Sequence, residues 1–507
     1  MVFLAASFVT LAALIPVNPG DDFETIVEMA QPGDEIVFHA GEYTTTGYWG
    51  VNLQGTSDAP IVIHAAPGEV VTIFGDPSQN TIDISGSYYT FAGFRIQGGS
   101  HGVRVGNSSH ALFEDLEIYL TADVGLSCNR PGETYEDITI RRVHVHDTAG
   151  TGECFYLGCN DGGCTMFESL VEFNWCHDTF NSSQGDGIEL KTGSYDVIVR
   201  HNVIHDVQYP GITMYGTQGM PANTVEGNIV WNAGDNGIQT VGDVLVRNNV
   251  VVGSGNNGIQ SKPSQNQIPT NLIIVHNTVI GAGDACLRAN DWPVDNGNLV
   301  AANALFCEGT SAIKLVNSTP GQFFDNGVLG AVEGLMGGTF PLGATASEVV
   351  DPDAAHVYPL PDSSMISAAT QVWAAQDFNC LDRDATPDVG AYEFMGASNP
   401  GWIPEPGFKQ CAGMGDGDGD TTGDGDTTGD STADTGDEGT TTANDEAADE
   451  VGTSDDASES GESGDTGSGG ATGDEGGCAC SSGGSSGGAG LGAIALLGLL
   501  GLRRRGR

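Results

Sequence analysis

Residues 185–317 consist of short runs in which apolar and polar positions alternate, separated by Gly, Asn and Asp. One run recurs, and each copy begins with a small residue followed by Ile or Leu. Its copies occupy 187–191, 211–215, 237–241, 258–262, 286–290 and, more loosely, 312–316. Because alternation sends successive side chains to opposite faces of a strand, each copy predicts a short β-strand with one inward and one outward face.

A second recurring run begins with Asn and lies between the copies of the first. It occupies 174–177, 202–205, 228–231, 249–252 and 277–280. Both runs return after roughly 21 to 28 residues, which is the length of one coil of a β-solenoid. The pattern therefore predicts an all-β fold, a parallel β-helix whose coils run from about residue 35 to about residue 329.

The leading Asn of the second run occupies the same turn position on successive coils. The residues at this position are Asn174, Asn202, Asn228, Asn249, Asn277 and Asn303. Coils stack about 4.8 Å apart, so these amides can hydrogen-bond along the axis and satisfy polar groups that would otherwise be buried unpaired. We predict an asparagine ladder with a structural role.

The N-terminal residues predict an export signal and then a cover for the open end of the solenoid. Residues 1–19 are an apolar run that ends in small residues and Pro, which is typical of a signal peptide. Asp21 or Asp22 can then cap a short helix whose apolar face includes Phe23 and Val27. Without such a helix, the first coil would expose apolar core and unpaired backbone.

Acidic residues dominate the charge of the chain, which is -50 in formal net terms. Of the 67 acidic side chains, 20 lie in 412–477, where there is no Lys or Arg. The remainder is still strongly acidic, which argues against nucleic acid as a partner, because phosphate binding needs clustered Lys and Arg. The Asp/Gly/Thr-rich segment 411–477 predicts a disordered linker, with calcium binding at 416–420 as the alternative.

Residues 478–507 combine two cysteines, a glycine-rich stretch, an apolar run at 489–502 and an arginine cluster at 503–505. This arrangement resembles the MYXO-CTERM sorting signal of myxobacterial surface proteins. The resemblance implies a short transmembrane segment that holds the chain in the membrane until processing near the cysteines. It further implies an exported protein that is anchored at the cell surface or outer membrane, or secreted.

Residues 20–410 resemble the right-handed parallel β-helix (pectate-lyase-like) superfamily, through the repeats above and through the ending Asp-Val-Gly-Ala-Tyr-Glu at 388–393. The resemblance implies a right-handed, monomeric solenoid and does not identify the reaction. The repeats fade after residue 320, and the segment that follows is predicted to cover the far end.

The eleven cysteines fit an exported protein. Cys128 and Cys159 fall at similar places on successive coils, as do Cys286 and Cys307. Disulfides at these positions are therefore expected, with the pairing left open, and buried free thiols are the alternative.

Alignment of the coils gives two columns of outward side chains on one sheet. The first column is Arg104, Ser127, Tyr156, Glu189, Thr213, Gln239, Gln260, Arg288 and Lys314, and the second includes Lys191, Tyr215, Val241, Lys262 and Asn290. Several of the few basic residues of an acidic protein thus share a face with Tyr, Gln and Asn, which predicts a saccharide-binding groove. An ordinary solvated sheet face is the alternative. The predicted substrate-binding residues are Glu189, Gln239, Gln260, Lys262, Arg288 and Lys314.

The main candidate catalytic cluster on this face consists of Asp186, Glu189, Lys191 and Tyr215. β-Elimination of a uronate needs a cation or donor for the carboxylate, a base for the C5 proton and an acid for the leaving oxygen. We predict that Asp186 and Glu189 bind Ca²⁺, that Lys191 is the base and that Tyr215 is the acid. The cluster resembles β-helix alginate lyases, in which an Arg follows the Lys on the next coil, and here Tyr215 stands in that place. The alternative is a surface salt bridge between Glu189 and Lys191, worth under about 1 kcal/mol.

A second cluster, predicted to be a subsite for an acidic sugar, consists of Lys262, Arg288, Asp291 and Lys314.

A column of histidines is a third candidate site. His146, His177 and His205 each lie three residues after the ladder position, and each precedes an Asp. We predict that they point outward on successive coils, where three imidazoles could bind a transition metal. The alternative is a set of stacked turn residues in which each Asp caps its own loop.

These observations predict an exported, surface-anchored β-helix protein that binds polysaccharide, with an anionic glycan as one candidate, and cleaves a uronate-containing glycan by β-elimination. The competing hypothesis is a non-catalytic carbohydrate-binding or adhesion protein that uses the same face. A glycoside hydrolase with paired carboxylates is the second alternative.

Overall fold

A computed structural model describes residues 12–335, 342–343 and 347–411. The first part of the predicted export signal, the acidic segment 412–477 and the sorting signal at 478–507 lie outside the described residues. Leu14–Val17 forms a strand that pairs with Glu35–Phe38. The ordered fold therefore begins before residue 20.

Three parallel sheets run along the solenoid, because most coils contribute one short strand to each sheet. Sheet 1 contains Leu14–Val17, Glu35–Phe38, Ile61–Ala65, Thr134–Arg141, Thr165–Glu172, Tyr195–Arg200, Asn223–Glu226, Val244–Arg247, Ile273–Val275, Leu299–Ala301 and Gln322–Phe324. Sheet 2 contains Gly41–Thr44, Val71–Gly75, Phe94–Gly98, Glu117–Tyr119, His144–His146, Trp175–His177, Val203–Val207, Ile229–Ala233, Val250–Ser254, Thr278–Ala282 and Leu342–Gly343. Sheet 3 contains Gly50–Gln54, Leu126–Cys128, Phe155–Leu157, Ile188–Leu190, Ile212–Met214, Ile238–Thr240, Asn257–Ser261 and Ala285–Asn290.

Four longer strands turn the corner between sheets. Ile82–Ala92 and Val103–Glu114 pass from sheet 3 into sheet 1. Ala304–Val316 and Gly327–Glu333 pass from sheet 2 into sheet 3. The predicted all-β parallel solenoid is confirmed.

The inward residues of sheet 3 stack coil upon coil, and Ile212, Ile238 and Ile259 are each 0% exposed. The glycine before each of these isoleucines is required by close packing against sheet 2. A Cβ on Gly237 would lie 2.2 Å from a methyl group of Val251, and a Cβ on Gly258 would lie 2.1 Å from one of Val279. The recurring glycine in the sequence therefore marks the corner where two sheets meet most tightly.

The asparagine ladder is confirmed at the turn between sheets 1 and 2. Each side-chain amide donates to the side-chain oxygen on the next coil, for example from Asn174 to Asn202 at 2.9 Å and from Asn228 to Asn249 at 3.0 Å. The same amides bond main-chain carbonyls, and Asn326 adds a further member after Asn303. These bonds satisfy polar groups that would otherwise be buried without partners.

The predicted cap at the N-terminal end is also confirmed. The helix spans Phe23–Glu28, and Asp22 is its N-cap, accepting from the main-chain N–H of Thr25 at 3.3 Å. Phe23 and Val27 are buried, and the Phe23 ring lies 5.2 Å from that of Trp49. The helix thus covers apolar residues of the first coils.

The segment 347–411 lies along the outer face of sheet 2, whereas we predicted that it covers the far end. It contains the antiparallel pair Val349–Asp351 and His356–Pro359, joined by a 3₁₀ turn at Pro352–Ala354. Its buried side chains form one apolar cluster with outward residues of sheet 2, among them Val250 and Phe306. Apolar outward positions on these coils need cover, which the outer segment supplies.

A buried arginine holds the Asp-Val-Gly-Ala-Tyr-Glu ending in place. Arg383 donates to the main-chain oxygens of Gly390 and Ala391 at 2.9 Å and pairs with the Glu393 carboxylate at 3.1 Å. Gly390 and Ala391 in turn bond Ala302 and Thr278 of the solenoid. The ending that supported the resemblance therefore anchors the outer segment to sheet 2.

Disulfides form at three of the four cysteines that the sequence analysis singled out. Cys286–Cys307 is present, whereas Cys128 is a buried free thiol and Cys159 bonds Cys164, five positions on. Cys128 and Cys159 are not joined, because the turn after Cys159 folds back and presents a closer partner. The other bonds are Cys154–Cys176 and Cys380–Cys411. Within the described residues, we find no helix with the length and apolar character needed to cross a membrane.

Candidate functional site

The first outward column of sheet 3 has the predicted register throughout. Strand pairing aligns its members one above another in the order Arg104, Ser127, Tyr156, Glu189, Thr213, Gln239, Gln260, Arg288 and Lys314. Asp83 extends the column before Arg104. Arg104, Arg288 and Lys314 are half-buried, whereas Asp83 and most of the middle of the column are buried.

Glu189 and Lys191 do not face open solvent, contrary to the prediction, since they are only 3% and 4% exposed. The Lys191 ammonium donates to Glu189 Oε1 at 2.5 Å. It also lies 4.4 Å from the centre of the Tyr156 ring and 5.2 Å from that of Tyr215. The two tyrosines flank the lysine from adjacent coils, which explains why it is buried on a face that the alternation marks as outward. The pair is therefore a buried ion pair and not a surface salt bridge.

Three carboxyl groups meet beside this lysine. Potential ligand oxygens of Glu153, Asp186 and Glu189 all lie within 4.8 Å of one another, and all three residues are buried. Thr213 donates to Asp186 at 2.8 Å, and Thr151 donates to Glu153 at 2.8 Å. One oxygen of Glu153 and one of Glu189 are buried without a hydrogen-bond partner.

The pKa values of these groups reflect crowding of like charges in a buried site. Burial and the neighbouring Glu189 raise the pKa of Glu153 to about 7. Burial, Glu189 and Glu153 raise the pKa of Asp186 well above its usual range. Burial lowers the pKa of Lys191, but the charge and hydrogen bond of Glu189 together with Tyr215 and Tyr156 more than offset that effect, and the net pKa of Lys191 is raised. Lys191 is therefore an ammonium in this arrangement.

The two tyrosines stay in the phenol form. Burial raises the pKa of Tyr156 to about 12. Burial and the Glu189 carboxylate raise the pKa of Tyr215. Both hydroxyls can therefore donate a proton or a hydrogen bond at neutral pH.

A loop after strand Asn257–Ser261 forms a wall beside the cluster. Its Gln265 accepts from Thr192 at 2.6 Å and from the main-chain N–H of Asp161 at 2.8 Å, and it donates to Asn160 at 2.8 Å. The loop thus reaches back over several coils to the turn closed by the Cys159–Cys164 disulfide. It bounds one side of the face that carries Lys191.

The other predicted substrate-binding residues also lie on this face, but several are buried or paired with acidic side chains. Gln239 and Gln260 are 7% and 6% exposed, so they form a covered floor. Arg288 and Lys314 both bind Asp284, with 2.6 Å for the Lys314 contact. Asp291, which we predicted in this cluster, is exposed in a turn, and Lys262 is half-buried.

Glu153 is the residue that the sequence analysis missed. It precedes Phe155 by two positions, as Asp186 precedes Ile188, and those two strands are paired in register. Both acids therefore lie two positions before the start of their strands. Alternation within the strands does not align these preceding positions.

The histidine column lies on the outer face of sheet 2, as predicted. His146, His177 and His205 occupy paired positions on successive strands, and the Nδ1 atom of each lies within 2.8 Å of the carboxylate of the following Asp. A further histidine, His144, was not predicted, and its Nε2 lies 2.8 Å from that of His177.

Comparison with known proteins agrees with this architecture. Residues 15–163 match a family described as Pel9A-like, right-handed β-helix region, and residues 177–319 match a right-handed β-helix region family. The protein is therefore a right-handed β-helix protein. A search of curated proteins finds no match.

Several solved structures are similar to this chain at low identity. The pectate lyase Pel9A is 17% identical with a TM-score of 0.45, over 75% of this chain and 96% of its own. The alginate lyase AlyGC is 13% identical with a TM-score of 0.46, over 69% of this chain and 56% of its own. The A-module of the Azotobacter vinelandii mannuronan C-5 epimerase AlgE4 is 14% identical with a TM-score of 0.47, over 60% of this chain and 90% of its own.

Proposed function

We propose that the protein binds an acidic polysaccharide along sheet 3 and cleaves it by β-elimination beside Lys191. The observation that carries the proposal is the Lys191 ammonium between two tyrosines and next to three crowded carboxyl groups. Such a concentration of perturbed titratable groups on one face is typical of a functional site. The remainder of the column continues to either side, as a groove for a linear chain requires.

The reaction removes the C5 proton of a uronate, breaks the C4–O bond and protonates the leaving oxygen, which leaves a double bond in the new terminal sugar. We assign the proton abstraction to Lys191 and the proton donation to Tyr215. Tyr215 is suited to its role because it stays protonated at neutral pH. Lys191 can accept a proton only when the attraction of Glu189 is offset, because that attraction keeps it charged.

The carboxyl cluster fits a hard divalent cation such as Ca²⁺. The fit rests on the buried, unpartnered oxygens of Glu153 and Glu189, which need a cation or proton to balance them. Glu153, Asp186 and Glu189 would hold the ion. When bound, it would neutralise the uronate carboxylate together with the excess charge of the cluster.

The flanking residues favour an anionic glycan. Arg104 lies three coils before Glu189 in the column, and Arg288 and Lys314 lie at the other end. We assign sugar binding to Gln239, Gln260, Lys262, Arg288 and Lys314.

We further propose that the protein is a monomer exported to the cell surface. The support for export is the apolar run that precedes the strand Leu14–Val17 and the pattern of residues 478–507. Four disulfides in the described domain agree with folding in an oxidising compartment.

The test is to follow ultraviolet absorbance of unsaturated uronate products while the purified protein meets polygalacturonate, polymannuronate and polyguluronate, with Ca²⁺ or with EDTA. We expect a Ca²⁺-dependent rise with at least one polymer. A flat trace with all polymers in both conditions would contradict the lyase proposal.

A non-catalytic glycan-binding protein is the second candidate. It is favoured by the buried ion pair, because Lys191 held as an ammonium by Glu189 cannot accept a proton unless that attraction is offset. Retained affinity for a polyuronate without any cleavage would support this candidate.

A further inference from the structure

Five aromatic rings form a continuous stack on the outer face of sheet 2. The order is Tyr119, His146, His177, His205 and Trp231, with centroid separations of 5.3, 5.1, 4.9 and 4.4 Å and nearly parallel planes. The stack lies on a different sheet from the Lys191 cluster. It therefore has no role in the function proposed above.

Acidic neighbours fix the tautomer of the histidines in this stack. Asp147 accepts at 2.8 Å from Nδ1 of His146, and Asp178 accepts at 2.8 Å from Nδ1 of His177. A carboxylate on Nδ1 places the proton there and leaves the Nε2 lone pair free to act as a ligand. Carboxylate-oriented imidazoles of this kind are common around metals.

His144 completes a cluster with two members of the stack. It stacks on Trp175 at 3.8 Å, and its Nε2 lies 2.8 Å from the Nε2 of His177. Ligand nitrogens of His144, His146 and His177 all lie within 4.8 Å of one another. The three side chains are only partly buried, so an ion can reach them from solvent.

His205 is excluded from the cluster although it belongs to the stack. Its Nδ1 is bound to Asp206 at 2.7 Å, and its Nε2 accepts from the indole N–H of Trp175 at 2.9 Å. Both ring nitrogens are therefore used. Nε2 of His177 instead faces the imidazole nitrogen of His144, which can bind the same ion, so His205 serves as the control.

We propose that His144, His146 and His177 form a binding site for a divalent transition metal, with Zn²⁺ as the representative ion. Three neutral imidazole nitrogens suit Zn²⁺, Cu²⁺ or Ni²⁺, whereas Ca²⁺ prefers oxygen ligands. Glu117 lies 3.4 Å from Nε2 of His146 and can supply a carboxylate oxygen, although Arg95 also binds it. A three-histidine site of this kind leaves a coordination position open for water or another ligand.

The test uses the full chain, stripped of metal and then kept in excess Ca²⁺ so that carboxylate sites and the acidic segment are occupied. Zn²⁺ is titrated by calorimetry, and Co²⁺ is added separately so that its visible spectrum reports nitrogen ligation. The variants are His144→Gln, His146→Gln and His177→Gln, with His205→Gln as the control. Thermal unfolding with and without Zn²⁺ is measured on each.

We expect a single Zn²⁺ site in the wild type and in His205→Gln, with a rise in Tm on Zn²⁺ addition. Each of the three ligand variants should lose about tenfold or more in affinity, by analogy with other disrupted metal shells, together with the Co²⁺ spectrum. If one variant fails to fold, the other two decide. No Zn²⁺ site in the wild type, or equal affinity in all variants, would overturn the proposal.

Discussion

The Lys191 ammonium and the Glu189 carboxylate form an ion pair of 2.5 Å in which both side chains are almost fully buried. Glu189 also lies against Glu153 and Asp186, so one ammonium faces three acidic groups. The stability of the site therefore depends on the protonation of those acids and on any cation that they bind.

Loss of the Glu153 proton should make the metal-free protein less stable as pH rises. Its pKa is raised from 4.5 to about 7, so in that window the folded state binds more protons than the unfolded state. The free energy of unfolding should fall by up to about 3 kcal/mol across the window, and Asp186 acts in the same direction. Urea unfolding in EDTA at about pH 5 and about pH 8 measures this change. Glu153→Gln should flatten the profile, and an unchanged profile in that variant would contradict the assignment.

Ca²⁺ should stabilise the folded protein at neutral pH. An ion bound by the folded state alone at 100 times its Kd adds about 2.7 kcal/mol. The measurement is the Tm with Ca²⁺ and with EDTA for the wild type and for Asp186→Asn. The variant should lose the response, and Asp291→Asn, an exposed acid outside the cluster, should keep it. Equal responses in all three proteins would place the ion elsewhere.

Removal of one ladder amide should destabilise the solenoid. Asn249→Ala removes the side-chain oxygen that accepts from the main-chain N–H of Asn228 and the side-chain amide that donates to the Val225 carbonyl. Each buried unsatisfied group costs about 1–3 kcal/mol, so we expect a loss in that range or above. Denaturant unfolding measures it. The exposed strand residue Asn52 serves as control, since Asn52→Ala should stay within about 0.5 kcal/mol of the wild type.

Peptide mapping under non-reducing, denaturing conditions should distinguish the free thiol of Cys128 from the disulfide-bonded cysteines. Alkylation is expected on the peptide with Cys128, while Cys159 and Cys164 should remain linked. The Cys286–Cys307 bond should be recovered as a second linked pair. A Cys128–Cys159 bond would contradict both assignments.

The coil register could be read from the sequence, because a repeat with one inward and one outward position fixes which residues lie above one another. For that reason the column from Arg104 to Lys314 was predicted in full. The Asn ladder and the capping helix after Asp22 follow from equally local rules.

Burial could not be read in the same way, because it depends on contacts between residues far apart in the chain. Lys191 is outward by alternation, yet tyrosines on two other coils enclose it. Gln265 crosses back to residue 192 over a loop that has no repeat. The pairing of Cys159 likewise depends on the path of a turn and not on coil spacing.

The most direct test of the central claim compares cleavage and binding in wild type and Lys191→Met, with Lys262→Met as a control in the same outward column. Product absorbance and glycan affinity are measured on the same polyuronate in Ca²⁺, after circular dichroism confirms folding. The account predicts that Lys191→Met loses cleavage by about 100-fold or more, as expected for a proton-transfer residue, and keeps its affinity. Lys262→Met should weaken binding and leave kcat nearly unchanged. Full cleavage by folded Lys191→Met would contradict the account.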